Sequence, residues 1–300
     1  MDTDIDKLFK DKVLGHPAGL FVLFFTEMWE RFSFYGMRAL LVLFLTTAIT
    51  GENPGWAWSK EQALSLLGTY ALMVYLTPIV GGYLADKHLG YRKAVVIGAL
   101  LMTLGHASMA FETPMFLYIG IAMLIVGNGF FKPNMTSIIS KMYEGKEDKK
   151  DGAYTIFYMG VNAGAFLGIL LCGYVGEKIG WSWGFGLAGI FMFLGMLQFY
   201  YAQPLFGNIG VEPEGVDNKE TATEVADAPA QDLDKRNPFL PIDKALIGLF
   251  ILSALVYIIN SPLSSIGGIQ TFNFTIAGFS DSYFFAILAA AAFALLLIIR

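Results

Sequence analysis

Apolar runs of about twenty residues recur along most of the 300-residue chain. A run of this length lets an α-helix cross the hydrocarbon core of a bilayer, where every backbone polar group has to be bonded within the protein. The sequence therefore predicts an all-α polytopic membrane protein. The predicted spans lie at about residues 17–47, 60–84, 94–111, 115–142, 153–176, 183–201, 242–259 and 283–299.

The spans fall into two groups separated by a segment of different composition. Residues 203–241 are acidic, contain Pro and Gly and have almost no aromatic side chains, which is typical of a flexible linker. We expect a six-helix transmembrane bundle over residues 1–202, a cytoplasmic linker over 203–241 and an additional transmembrane helical hairpin over 242–300. The two hairpin spans have no charge in their interiors, so we interpret them as packed in lipid.

The composition excludes other classes of protein. Apolar residues make up 55% of the chain and charged residues 15%, a balance unlike that of soluble domains. The sequence has no basic cluster suited to nucleic acid. Its three histidines are scattered, and its single cysteine, Cys172, cannot form an internal disulfide. We therefore expect no metal and no organic cofactor.

Lysine and arginine cluster in the loops on one side of the predicted membrane. The other side carries only Lys60 and Lys178. By the positive-inside rule, the N-terminus is expected to be cytoplasmic. We also expect a multi-pass protein of the cell (inner) membrane. The basic loops are at residues 7–12, 87–93, 141–150 and 235–236.

The first span carries four charged residues, which is unusual for a membrane helix. A charge at membrane depth costs about 2.5–3.5 kcal/mol on insertion scales, so these side chains need partners or water. Spacings of three and four residues place them on one helical face, which is expected to line a polar cavity between helices. That face holds Glu27, Arg31, Phe34 and Arg38, with Glu30 and Tyr35 on its flanks.

The cluster of Glu27, Glu30 and Arg31 has two interpretations. As a structural feature it is a buried ion pair that fixes helix packing, although desolvation roughly cancels the attraction within such pairs. As a functional feature it is a proton site, because two glutamates beside one arginine leave a carboxylate partly uncompensated. Ionisable groups inside a membrane are functional by default, which favours the second interpretation.

Lys132 lies in the middle of the fourth span and is followed by Pro133, which kinks a helix. A lysine near the end of a span can extend its charge to the membrane interface. The central position of Lys132 argues against that, so we predict a functional charge.

Other polar residues have two readings each. Asn162 lies among small residues, where an interhelical hydrogen bond explains it as well as ligand contact does. Tyr70 and Tyr75 could simply be core aromatic residues whose hydroxyl groups have hydrogen-bond partners. Asp86 and Arg92, at the inner end of the second span, are expected to form a conformational latch or loop anchor.

Four motifs occur in order along residues 27–166. They are the Glu-x-x-Glu-Arg signature with the residues after it at 27–36, a loop motif at 81–93, Phe-Lys-Pro-Asn at 131–134 and the segment 157–164. Each alone is a weak signal, whereas four in order are specific. Together they resemble the proton-dependent oligopeptide transporters, a family of the major facilitator superfamily.

The resemblance implies a proton-coupled importer of di- and tripeptides that works by alternating access between two six-helix bundles. It implies a proton-coupling role for Glu27, Glu30 and Arg31, with the proton as the coupling ion. The implied partners are a peptide substrate, the lipid bilayer and a C-terminal six-helix bundle of the same protein. The implied substrate contacts are Arg31, Tyr35, Arg38, Tyr75, Lys132 and Asn162.

The sequence departs from the family in two respects. Phe34 stands where many members have tyrosine; it keeps the ring and lacks the hydroxyl, which bears on substrate preference. The family's second bundle has no counterpart in the sequence, so we expect the chain to hold only the N-terminal part of a transporter, its first bundle plus the hairpin.

Three other functions are compatible with parts of this pattern. A related symporter for another anionic or zwitterionic solute, such as nitrate, would use similar charges. An intramembrane enzyme with Glu27 or Glu30 as a general base is disfavoured, since no nucleophile, metal set or second catalytic group accompanies them. A sensor or scaffold would bind peptide without accumulating it.

Overall fold

The structure is a computed structural model that describes residues 8–9, 12–211, 241–260, 275–276 and 279–280. The chain divides into two compact units, Met1–Pro213 and Glu214–Arg300.

The first unit is built almost wholly from helices. Two short antiparallel strands come first, β1 (Lys12–Val13) and β2 (His16–Pro17). The helices are α1 (Ala18–Thr46), α2 (Lys60–Leu84), α3 (Tyr91–Met109), α4 (Pro114–Met142), α5 (Glu147–Lys178) and α6 (Trp181–Tyr201). A π-helical turn, Ala85–Leu89, follows α2, and a 3-10 helix, Gln203–Phe206, follows α6.

These helices confirm the prediction of an all-α polytopic membrane protein. Helix α1 is 29 residues long and carries the four charges of the first span, so its stability in a bilayer depends on burying them against its neighbours. The described segments that are long and apolar enough to cross a membrane are Lys60–Leu89, Pro114–Met142, Glu147–Lys178 and Trp181–Tyr201.

In the second unit, α7 (Pro241–Asn260) corresponds to the predicted span at 242–259. Two short strands, β3 (Thr275–Ile276) and β4 (Phe279–Ser280), pair antiparallel. The predicted span at 283–299 lies outside the described residues, so the second helix of the hairpin stays a prediction.

The structure corrects the start of the predicted linker. The guanidinium of Arg92 in α3 donates hydrogen bonds to the carbonyls of Gly207 and Ile209, the latter at 2.5 Å. Residues 203–211 are therefore folded as part of the first unit, because a buried side chain of α3 bonds their backbone. The rest of the predicted linker, 212–240, lies outside the described residues.

Helix α1 packs against α5 along a row of buried glycines spaced by about one turn, which includes Gly160, Gly164 and Gly168. A Cβ built on Gly168 would lie 2.2 Å from the carbonyl oxygen of Phe32 in α1, so only glycine permits this approach. Small residues at such positions let membrane helices come close together. The row fixes the rotation of α1 and thereby decides which of its side chains point inward.

Helix α4 packs as closely against α2 and α3. A Cβ on Gly81 of α2 would lie 2.1 Å from the Gly129 carbonyl oxygen, and a Cβ on Gly98 of α3 would lie 2.6 Å from that of Gly127. These contacts fix the middle of α4, which is the part that carries Lys132.

Gly168→Ala is expected to lower the thermal stability of the protein, because the added methyl group has to push α1 and α5 apart. Overpacking of this kind costs about 1–3 kcal/mol. The matched control is Gly173→Ala on the same helix, where a Cβ meets no atom within 4 Å. Thermal unfolding in detergent measures both variants. Equal unfolding temperatures would contradict the close approach of α1 and α5.

Candidate functional site

Three charged side chains of α1 form a buried cluster. Glu27 and Arg31 are each 5% exposed, and Glu30 is fully buried. Arg31 Nε lies 3.2 Å from Glu27 Oε1 and donates a hydrogen bond to Glu30 Oε2. Because water is excluded, each charge depends on its partners, and removing one would leave an uncompensated charge in a poorly polar medium.

Helix α4 adds a contact to this cluster through Asn128. Its Nδ2 donates to Glu30 Oε1 at 3.5 Å, and both side chains are buried. Sequence reasoning misses Asn128, although its position four residues before Lys132 places the two on the same helical face.

Two cations, Arg38 and Lys132, form no salt bridge with a carboxylate among the described residues. The Arg38 guanidinium lies 5.4 Å from the centre of the Phe34 ring, and Lys132 Nζ lies 5.5 Å from the centre of the Tyr75 ring. Cation–π contacts of this kind hold a cation in place without neutralising its charge. Both cations therefore stay available to an anionic group.

Phe34 also contacts the buried cluster. The Arg31 guanidinium lies 4.8 Å from the centre of the Phe34 ring. The guanidinium groups of both Arg31 and Arg38 therefore contact this ring. Arg31 Nη2 is buried and has no hydrogen-bond partner in the described part of the chain. Phe34 thus connects the ion-paired arginine with the arginine that lacks a carboxylate partner.

The predicted tyrosines differ in their surroundings. The rings of Tyr35 and Tyr70 lie 5.2 and 6.0 Å from that of Phe34, between centroids. Tyr70 is buried, whereas Tyr75 is 73% exposed and lies beneath Lys132. The structure therefore brings together the predicted site residues of α1, and separately Tyr75 of α2 with Lys132 of α4.

Asn162 of α5 is exposed, and its Nδ2 donates to the Tyr158 carbonyl one turn earlier at 3.0 Å. Within the described residues it makes no hydrogen bond to the buried cluster. Its predicted contact with substrate stays a prediction.

The predicted contact between Asp86 and Arg92 is replaced by two separate contacts. Asp86, in the π-helical turn, interacts with the hydroxyl group of Tyr91. Arg92 instead bonds the carbonyls of Gly207 and Ile209, which suit the several donors of a planar guanidinium. Arg92 therefore anchors the segment after α6, and its predicted pairing with Asp86 is not formed.

A helical membrane bundle with paired and unpaired charges at membrane depth is typical of solute transporters. Over the residues that the structure describes, no group of three His, Cys, Asp or Glu side chains could hold a metal ion. The family model described as the POT family matches residues 92–223. Together with the relatives and solved structures described next, this match shows that the chain belongs to the POT family.

Two curated relatives are similar to about two thirds of the chain. The di-/tripeptide transporter of Lactococcus lactis subsp. cremoris is 38% identical over 203 residues, which cover 66% of this chain and 40% of the relative. The peptide transporter YePEPT of Yersinia enterocolitica subsp. palearctica is 42% identical over 189 residues, which cover 62% and 36%. The chain thus spans about two-fifths of the length of the curated relatives it matches.

Solved structures of the family share the fold. A crystal structure of the peptide transporter POT in complex with sulfate matches with a TM-score of 0.67 and 34% identity, covering 86% of this chain and 55% of that one. A complex of the peptide transporter POT with alafosfalin matches with a TM-score of 0.66 and 30% identity, covering 99% and 72%. These matches confirm the major-facilitator-type fold.

Arg31→Met is expected to destabilise the protein, because it leaves Glu27 and Glu30 buried without their cation. Breaking a buried ion pair from one side costs about 3–5 kcal/mol. The matched control is Arg38→Met on the same face, which removes a cation that has no carboxylate partner among the described residues. Thermal unfolding in detergent should show a much smaller loss for the control. Similar losses in both would mean that the ion pairs of Arg31 do not stabilise the bundle.

Proposed function

We propose that the protein is a proton-coupled symporter that imports di- and tripeptides by alternating access. The observation that carries this proposal is the buried Glu27–Glu30–Arg31 cluster next to cations that form no salt bridge among the described residues. Such an arrangement suits the binding of a proton and of an anionic group at neighbouring places. The family and the relatives named above are transporters, and we propose transport, not catalysis, for this protein as well.

In this mechanism the carboxylate of the peptide binds Arg31, Arg38 or Lys132 through charge-assisted hydrogen bonds. The two glutamates compete with the peptide for Arg31. A proton on Glu27 or Glu30 removes one of the competing charges and frees the guanidinium for substrate. By thermodynamic reciprocity, bound peptide favours proton binding by the same factor.

The peptide site would lie near the membrane midplane between two six-helix bundles. Helices α1 to α6 would form the N-terminal bundle, and Tyr35, Tyr75 and Asn162 would add contacts to substrate on this side. A C-terminal bundle of the same protein would supply acidic partners for Arg38 and Lys132 and a pocket for the amino group of the peptide. The linker and the lipid-packed hairpin would connect the two bundles.

Liposomes containing the complete gene product should accumulate dialanine only under an inward proton gradient. The glutamine in Glu30→Gln cannot exchange a proton, so this variant should reduce gradient-driven accumulation by about tenfold or more. A tenfold loss corresponds to about 1.4 kcal/mol of lost coupling free energy. The control Glu61→Gln changes an exposed glutamate in the first turn of α2 and should have no effect.

Two results would change the proposal. If Glu30→Gln accumulates dialanine under the gradient as the unmodified protein does, the Glu30 carboxylate takes no part in proton coupling. If the unmodified protein takes up nitrate but not dialanine, the substrate is an inorganic anion and not a peptide. The same cations would also attract such an anion.

The protein is a multi-pass membrane protein, and we propose that it lies in the cell membrane with its N-terminus in the cytoplasm. Leu14 and Ile49 flank the two ends of α1 and are 83% and 67% exposed. In a Cys172→Ser background, an impermeant maleimide added to intact cells should label Ile49→Cys and spare Leu14→Cys. The opposite labelling would invert the orientation.

A further inference from the structure

The two carboxylate oxygens of Glu30 have different partners. Oε2 accepts from Arg31 Nε, and Oε1 accepts from Asn128 Nδ2 at 3.5 Å. Asn128 is 1% exposed, and its own oxygen, Oδ1, is buried with no hydrogen-bond partner among the described residues. A buried polar atom without a partner is costly, so an unbonded amide oxygen beside an ionisable group needs a physical reason.

A carboxamide has a donor end and an acceptor end of nearly the same size. An ionised Glu30 can only accept hydrogen bonds, so it uses the Nδ2 end of Asn128. A protonated Glu30 carries an O–H group that needs an acceptor. A half-turn of the Asn128 amide brings Oδ1 to that O–H group, so the oxygen without a partner in one protonation state is bonded in the other.

In the described structure, no other charged or titratable group near Glu30 both makes a hydrogen bond to its carboxylate and carries an acceptor atom. On α1, Arg31 has only donors, and Glu27 forms a salt bridge with Arg31. Tyr70 of α2 is close enough to interact electrostatically with Glu30, but in the described structure it makes no hydrogen bond to it. Lys132 of α4 has only donors and interacts with Glu27. Of the side chains that are hydrogen-bonded to the Glu30 carboxylate in the described structure, Arg31 and Asn128, Asn128 is the one that offers both a donor and an acceptor.

We propose that Asn128 is a positioning residue for proton exchange at Glu30, bonding the ionised carboxylate through Nδ2 and the protonated carboxyl through Oδ1. The only covalent change is the O–H bond of Glu30, which forms when a proton arrives from the solution and breaks when it leaves. The proposal rests on the proposed function, in which Glu30 takes part in proton coupling. Because both states are bonded, the carboxyl group can gain and lose its proton without leaving its buried position.

The test compares Asn128→Thr with Asn128→Val. The two side chains have nearly the same shape, but the threonine hydroxyl can donate or accept by rotation, and valine can do neither. The readout is the infrared carbonyl band of protonated Glu30, which is identified by its disappearance in Glu30→Gln, recorded against pH on the complete gene product in lipid. The unmodified protein and Asn128→Thr should give similar band positions and pH midpoints. Asn128→Val should shift the band to higher frequency and displace the midpoint.

Transport gives a second readout. Gradient-driven dialanine uptake should fall about tenfold in Asn128→Val and much less in Asn128→Thr, as expected for loss of a hydrogen bond to a charged group. The matched control is Asn134→Val on the same helix, because Asn134 bonds the Phe130 carbonyl at 2.6 Å. That variant should leave the Glu30 band and its midpoint unchanged.

The possible results separate this proposal from the proposed function. Identical band positions and midpoints in Asn128→Thr and Asn128→Val would overturn the role of Asn128. If the Glu30 band differs between Asn128→Thr and Asn128→Val but the unmodified protein accumulates no peptide, the role of Asn128 is supported and peptide symport is refuted. If Asn128→Val does not fold, Asn128→Ser and Asn128→Ala give the same comparison in a smaller pair.

Discussion

The buried contact of Arg31 with Glu27 and Glu30 is the interaction on which the rest of the bundle depends. Charges at membrane depth persist only against partners or water, and α1 carries this group in the middle of its length. The neighbouring helices therefore have to shield it. The glycine contacts of α1 with α5, and of α4 with α2 and α3, bring the backbones close enough to do so.

The same packing leaves part of the charge uncompensated. Phe34 and Tyr75 hold Arg38 and Lys132 through ring contacts that do not neutralise them, and Arg31 keeps one buried nitrogen without a partner. A site that has an internal ion pair and further cations without a salt bridge can exchange one bound anion for another with a small change in free energy. In the proposed function, this would be the physical basis for linking a proton on a glutamate to the binding of a carboxylate-bearing solute.

Arg92 shows how the fold holds the segment that follows α6. It lies just after the π-helical turn that ends α2, and it bonds carbonyls of the segment that follows α6. These two charge-assisted hydrogen bonds hold the segment against α3. The first unit thus includes residues 203–211, which follow α6 in the chain.

The local sequence was sufficient to predict the helices and the charged face of α1. Apolar runs, and charges at spacings of three and four residues, report on a single helix, whose 3.6-residue period is known in advance. The ordered motifs also placed the chain in its family. In contrast, the linker start at residue 203 was wrong, because the composition does not reveal that Arg92 bonds the backbone there.

The tertiary structure alone decided how the helices meet. Asn128 contacts a glutamate 98 residues earlier in the chain, and Lys132 lies over a tyrosine of another helix. Such contacts depend on the rotation and depth of one helix against another, which are set here by glycines at which backbones touch. The sequence by itself determined which charges enter the membrane. The packing decided which of them are paired, which stay available, and which neutral side chain shares the carboxylate of Glu30.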